Sequence, residues 1–182
     1  KALYSATCVP CHGGKAEGKK EFMAPALHRQ EAWYIVSQLQ KFRSGQRGTN
    51  AKDTGGAMMR PMAQSLPDDQ AVLDVAAYVT SLDAPLPPVE VKGDLAAGKA
   101  QYAMICAACH GEKAEGKPEL KTPALVGQND WYMVAQLKKF KAGHRGYDPA
   151  DVTGLQMKGM AATLATDQAI QNVVAYITTL GK

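Results

Sequence analysis

Two short strings in this chain have the residue types and spacing of a covalent cofactor site: Cys8-Val9-Pro10-Cys11-His12 and Cys106-Ala107-Ala108-Cys109-His110. A C-x-x-C pair followed directly by His is the attachment sequence for a c-type haem. Cysteines three positions apart at a helix end can each form a thioether with one vinyl group of the same porphyrin, and the adjacent imidazole reaches the iron. A zinc site would need two further ligands per motif. The other two histidines do not supply them: His28 aligns with Val126 and His144 with Gln46, so neither recurs. A thioredoxin-type redox pair does not require the trailing His.

The two motifs belong to two copies of one unit. Cys8 and Cys106 are 98 positions apart, and residues 1–84 fall on 99–182 at that offset without a gap, with about half of the positions identical. Pro25-Ala26-Leu27 falls on Pro123-Ala124-Leu125, Trp33-Tyr34 on Trp131-Tyr132, Arg47-Gly48 on Arg145-Gly146, Met59 on Met157, and Met62-Ala63 on Met160-Ala161. Two units make a tandem pair of small domains rather than a solenoid. The expected organisation is a first domain over 1–84, a Pro-rich linker over 85–94 and a second domain over 95–182. Three prolines (Pro85, Pro87 and Pro88) make the linker stiff and extended.

Each unit reads as all-α, with three main helices and long loops. The first helix, over roughly 1–11 and 95–109, carries the cysteines at its C-terminal end. The second shows Trp33, Val36, Leu39 and Phe42, and in the copy Trp131, Val134, Leu137 and Phe140, at helical spacing. Gly45 and Gly143 end it. The third runs from about Asp68 to Leu82 with Val72, Val75, Ala76 and Val79 on one face. Its twin spans Asp167 to Leu180, with Thr166 as N-cap. Wrapping a large flat cofactor accounts for the loop length, and a domain this small needs such a staple.

A second iron ligand must come from elsewhere in each repeat. Methionines are the repeated residues with suitable chemistry, Met59/Met157 and Met62/Met160, in what reads as a loop before the last helix. A thioether is soft and neutral and, opposite His, raises the reduction potential. Core packing is the alternative role for each. Tyr34, Tyr132, Trp33 and Trp131 read either as core or as donors to haem propionates. Arg47 and Arg145 suit propionate carboxylates as well as a solvated surface. Lys138, Lys139 and Lys141 read as a solvated helix face.

In combination, the paired motifs, the Pro-Ala-Leu strings, the Trp-Tyr to Arg-Gly stretch and the methionine segment resemble class I cytochromes c. The tandem arrangement resembles the soluble dihaem c4-type cytochromes. That resemblance implies two class I cytochrome c domains, two haem c groups, and an axial methionine seven residues before Leu66 and Leu164, hence Met59 and Met157 opposite His12 and His110. It also implies that the carbonyls of Pro25 and Pro123 orient the two imidazoles. Two six-coordinate haems leave no open iron position, which specifies an electron carrier and not an enzyme, with two distinct potentials. Respiratory partners follow, such as a bc-type complex upstream and a terminal oxidase downstream. The alternatives are a cytochrome subunit of a larger complex, for example with a flavoprotein, and a dihaem enzyme.

Composition agrees with this reading. A formal charge of +4 without a basic block gives no footing for nucleic acid. No apolar run approaches the roughly 20 residues that span a bilayer. The chain opens inside a helix, as a mature or trimmed product of export would, and c-type haem then implies a bacterial periplasm.

Overall fold

A computed structural model describes residues 1–181. Each unit is helical. In the first, a π-helical turn over Tyr4–Cys8 runs into Val9–His12 (together α1), followed by α2 (Ala32–Ser44), α3 (Thr54–Gln64) and α4 (Asp69–Thr80). In the second, Leu95–Gln101, a π-helical turn over Tyr102–Cys106 and Ala107–His110 form α5, followed by α6 (Asp130–Lys141), α7 (Val152–Ala162) and α8 (Asp167–Leu180). Among the described residues, extended pairing is confined to two isolated bridges, Lys19 with Ala24 and Lys117 with Thr122. The expected end of the second domain, residue 182, lies outside the described residues.

Apolar periodicity explains the two cores. Tyr4, Ile35, Leu39, Phe42, Val72, Val75, Ala76 and Val79 bring α1, α2 and α4 together. Tyr102, Met133, Leu164, Ile170, Val173, Val174 and Ile177 do the same in the second unit. Trp33 and Val36, placed by spacing on the inner stripe of α2, are only half-buried, and Ile35 goes inside instead. Gly45 closes α2 in the left-handed region at φ 87°. The Thr166 side chain caps α8 by accepting from the Ala169 N–H. Helix α5 lies against α8 so closely that a Cβ on Gly98 would stand 2.0 Å from the Asn172 carbonyl oxygen.

The methionine segments are helices, not loops. Thr54-Gly55-Gly56 and Pro61 in one copy, and Gly154 and Gly159 in the other, lower helix propensity enough to read as loop. N-caps override that: Asp53 accepts from the Gly56 N–H at 3.1 Å and Asp151 from the Gly154 N–H at 2.9 Å. Pro61 sits inside α3. Among the described residues each unit therefore has four main helices rather than three, besides a one-turn 3-10 helix (Lys20–Phe22 and Pro118–Leu120).

The stretch between α4 and α5 has no regular structure and is tied to the second unit. Buried Asp130 accepts from the N–H groups of Glu90 and Val91 at 2.6 and 2.7 Å, and Asn172 accepts from the Asp94 N–H at 2.9 Å.

Candidate haem sites and the seam between the domains

Each C-x-x-C-H string closes its helix in the same way. Gly13 and Gly111 follow the histidines at φ 84° and 85° with ψ near 160°, a region that only glycine enters freely, so the chain turns off the helix there. The hydroxyl of buried Tyr4 donates to the Gly13 carbonyl at 2.8 Å, and Tyr102 donates to that of Gly111 at 2.6 Å. These bonds lock the helix end that displays the cysteines and the histidine.

The cysteines are part-buried and form no disulfide. Burial, and then the neighbouring cysteine, pushes the Cys8 and Cys106 thiols up to about 11. A thioredoxin-type nucleophile is shifted the opposite way. His12 Nδ1 lies 2.9 Å from the Pro25 carbonyl oxygen and His110 Nδ1 lies 2.9 Å from that of Pro123. A carbonyl can only accept, so Nδ1 carries the proton and Nε2 presents its lone pair. Burial lowers both imidazole pKa values, with the proline bond partly opposing, so the rings are neutral near pH 7. A neutral imidazole with Nδ1 committed and Nε2 available is a metal ligand in its working tautomer.

Met59 is half-buried against the first core, and Met157 is half-buried in its own unit. Met62 and Met160 are 43% and 41% exposed. Three buried donors of the first unit, Trp33 Nε1, Arg47 Nε and Arg60 Nε, have no acceptor among the described residues. An acidic cofactor would satisfy such donors. With the thiol pairs and the oriented imidazoles, the residues present fit a covalently held haem in each unit.

Arg47, Arg145, Tyr34 and Tyr132 lie where the two units meet. Arg47 donates to Gln38 within its unit at 2.7 Å, and across the seam to the Tyr132 hydroxyl at 3.1 Å and to Gln136 at 3.3 Å. Arg145 mirrors it, donating to Gln136 at 2.8 Å, to the Tyr34 hydroxyl at 3.2 Å and to Gln38 at 3.1 Å. Burial would push the Tyr132 hydroxyl up, but the guanidiniums of Arg47 and Arg145 hold it below the ordinary phenol value. Outside this network lie two more mirrored contacts: Lys41 reaches Asp151 and Lys139 reaches Asp53, both at 2.6 Å. Lys139 is therefore a half-buried interface cation, not part of a solvated face; Lys138 pairs with Asp167 at the surface. Partners exchange under the 98-residue offset, as in an isologous two-fold interface.

Sequence reasoning missed Gln30, Gln38, Lys41 and Asp53 with their twins. The available signal was that these polar residues recur identically in both copies although no core requires them.

Comparison with known proteins gives one family over most of the chain. The cytochrome c family model matches residues 1–83 and again 95–181. Cytochrome c4 of Thiocapsa roseopersicina is 33% identical over 187 residues, covering 97% of this chain and 88% of that protein. The thiosulfate dehydrogenase electron acceptor of Stutzerimonas stutzeri is 30% identical over 185 residues, covering 96% and 79%. Among solved structures, that of Acidithiobacillus ferrooxidans cytochrome c4 matches with a TM-score of 0.77 at 26% identity, over 96% of this chain and 99% of that one.

Proposed function

The chain belongs to the cytochrome c family as a dihaem, cytochrome c4-like electron-transfer protein, and on that premise we propose that it shuttles electrons between respiratory redox proteins of a bacterial periplasm through two His/Met-ligated haems. Each haem, when bound, supplies a one-electron couple at its iron. Cys8 and Cys11, and Cys106 and Cys109, hold the two groups through thioethers. His12 and His110, oriented by Pro25 and Pro123, would supply an imidazole ligand to each iron. Met59 and Met157 would supply the thioether ligands; their partial burial, against the exposure of Met62 and Met160, supports this choice. Tyr34, Tyr132, Arg47 and Arg145 hold the seam, and the spare Nε of Arg47 is suited to a propionate.

The observation that carries this reading is the fixed imidazole, Nδ1 on a carbonyl at 2.9 Å in both units. A ligand pinned before electron transfer keeps reorganisation small. Coulometric titration tests the function: uptake of two electrons per chain without a change of ligation supports a carrier. A change of ligation on reduction would point to an iron position that opens for chemistry. Natural donors and acceptors, such as a bc-type complex and a terminal oxidase, would show as fast bimolecular exchange in stopped-flow mixing.

A second reading rests on the Stutzerimonas stutzeri relative, whose name makes it the acceptor for a dehydrogenase. In that reading the chain takes electrons from a dehydrogenase bound to it as a subunit. Stable co-migration with such an enzyme on a sizing column would select it over the free shuttle.

A further inference from the structure

Each domain grips, in the other, the peptide group that orients the proximal histidine. The Pro25–Ala26 peptide offers its carbonyl to His12 Nδ1 at 2.9 Å, and the N–H of that same peptide donates to Asn129 Oδ1 of the second domain at 2.6 Å. Reciprocally, the Pro123–Ala124 carbonyl accepts from His110 Nδ1 at 2.9 Å while its N–H donates to Glu31 Oε2 of the first domain at 3.3 Å. Gln128 and Gln30 complete the grip, donating through Nε2 to the carbonyls of Ala26 and Ala124 at 3.1 Å each. Asn129 and Gln30 are buried, and Glu31 is half-buried.

We infer that Glu31 and Asn129 are positioning residues that act in trans, each setting the reduction potential of the other domain's haem through a peptide bridge. This rests on His12 and His110 being axial ligands. An acceptor on a peptide N–H pulls that proton outward and makes the carbonyl at the other end of the amide more electron-rich, since linked hydrogen bonds polarise one another. A stronger carbonyl acceptor draws the Nδ1 proton and makes the imidazole a more basic ligand. A more basic ligand favours the oxidised metal, so the potential falls.

The two bridges differ in the charge of the acceptor and in length, the Glu31 contact being the longer at 3.3 Å against 2.6 Å for Asn129. Glu31 and Asn129 occupy equivalent positions, 98 residues apart, so the second domain's histidine is backed by a carboxylate and the first domain's by a neutral amide. Hydrogen bonds to ionised acceptors are roughly twice as strong as neutral ones. The duplicated seam thus carries a built-in difference between two otherwise similar haems.

Two variants of the intact haem-loaded protein test this, with the midpoint of each haem read separately from its own haem-methyl NMR resonances during a redox titration. Glu31→Gln keeps the shape and removes the charge. It is expected to shift the second domain's reduction equilibrium toward the reduced form by about fivefold, and the first domain's by much less. Asn129→Ala changes no charge, so it isolates the bridge. It is expected to raise the first domain's midpoint by about twofold in the equilibrium constant while leaving the second's in place. The His110 Nδ1–H resonance should move in the first variant and that of His12 in the second. Midpoints that do not move, or that move in the variant's own domain, overturn the inference. A parent protein whose Nδ1–H resonances lack the paramagnetic shift of a ligated ring would overturn the ligation on which it rests, and that result is separable from the variants'.

Discussion

The Nζ of Lys139 lies 2.6 Å from a carboxylate oxygen of Asp53, across the seam and with the aspartate fully buried. The same Asp53 caps α3, the helix that carries Met59. One carboxylate therefore joins the start of the methionine helix in the first domain to the second domain, and Asp151 with Lys41 repeats the arrangement. Removing Asp53 strips the cap and leaves the half-buried Lys139 without its partner. Asp53→Ala is expected to lower stability by about 3–5 kcal/mol, the cost of breaking a buried pair from one side. Adding Lys139→Met is expected to recover part of that loss in denaturant melts of the haem-loaded protein.

Acid should act on the same contact. Burial tends to raise the Asp53 pKa, but the Lys139 hydrogen bond and the Arg47 and Lys139 charges outweigh it and hold the carboxyl below its ordinary value. The folded-state pKa is thus below the unfolded one. Its contribution is fully present above the unfolded value of about 4 and is lost as pH falls through the depressed folded value. Thermal midpoints followed downward from pH 6 should drop more steeply for the parent than for Asp53→Asn, and parallel curves would remove Asp53 from the acid response.

Met59→Ala and Met157→Ala should leave their haems attached, open one iron position each and lower that haem's potential, because the thioether favours the reduced metal. Met62→Ala and Met160→Ala should leave the optical spectrum unchanged. Loss of the weak far-red band of sulfur-ligated ferric haem in the second pair instead of the first would reassign the ligand.

Much of this was legible in the sequence. The C-x-x-C-H strings, the 98-residue duplication and the apolar faces of α4 and α8 follow from residue types and local periodicity. The methionine helices did not, because glycines and Pro61 mask a helix that is fixed by the Asp53 and Asp151 caps and by packing. Nor did the roles of Lys41, Lys139, Gln30 and Gln128. A polar residue's partner more than 80 positions away leaves no local pattern, and only its exact recurrence in both copies hints at a task. Arg47 and Arg145 were recognisable as needing acceptors, but the sequence could not show that Gln and Tyr of the opposite domain supply several.

The linker should depend on Asp130. Its carboxylate accepts from Glu90 and Val91 as well as from the Trp131 N–H at 2.6 Å. Asp130→Ala leaves the two linker amides without acceptors and is expected to speed their hydrogen exchange by about tenfold or more, as each lost bond to a charged acceptor costs about 1.5–3 kcal/mol. Unchanged exchange at Glu90 and Val91 would mean that Asp130 does not hold the linker.

Two closed, doubly ligated irons are the premise of the carrier reading, and carbon monoxide probes them directly. Mixed with the reduced, untreated protein, it should leave the absorption spectrum of both haems unchanged on the timescale of mixing, while Met59→Ala and Met157→Ala each bind it at one haem. Rapid binding by the parent protein at either haem would show a vacant coordination site and contradict the assignment of a passive two-haem relay.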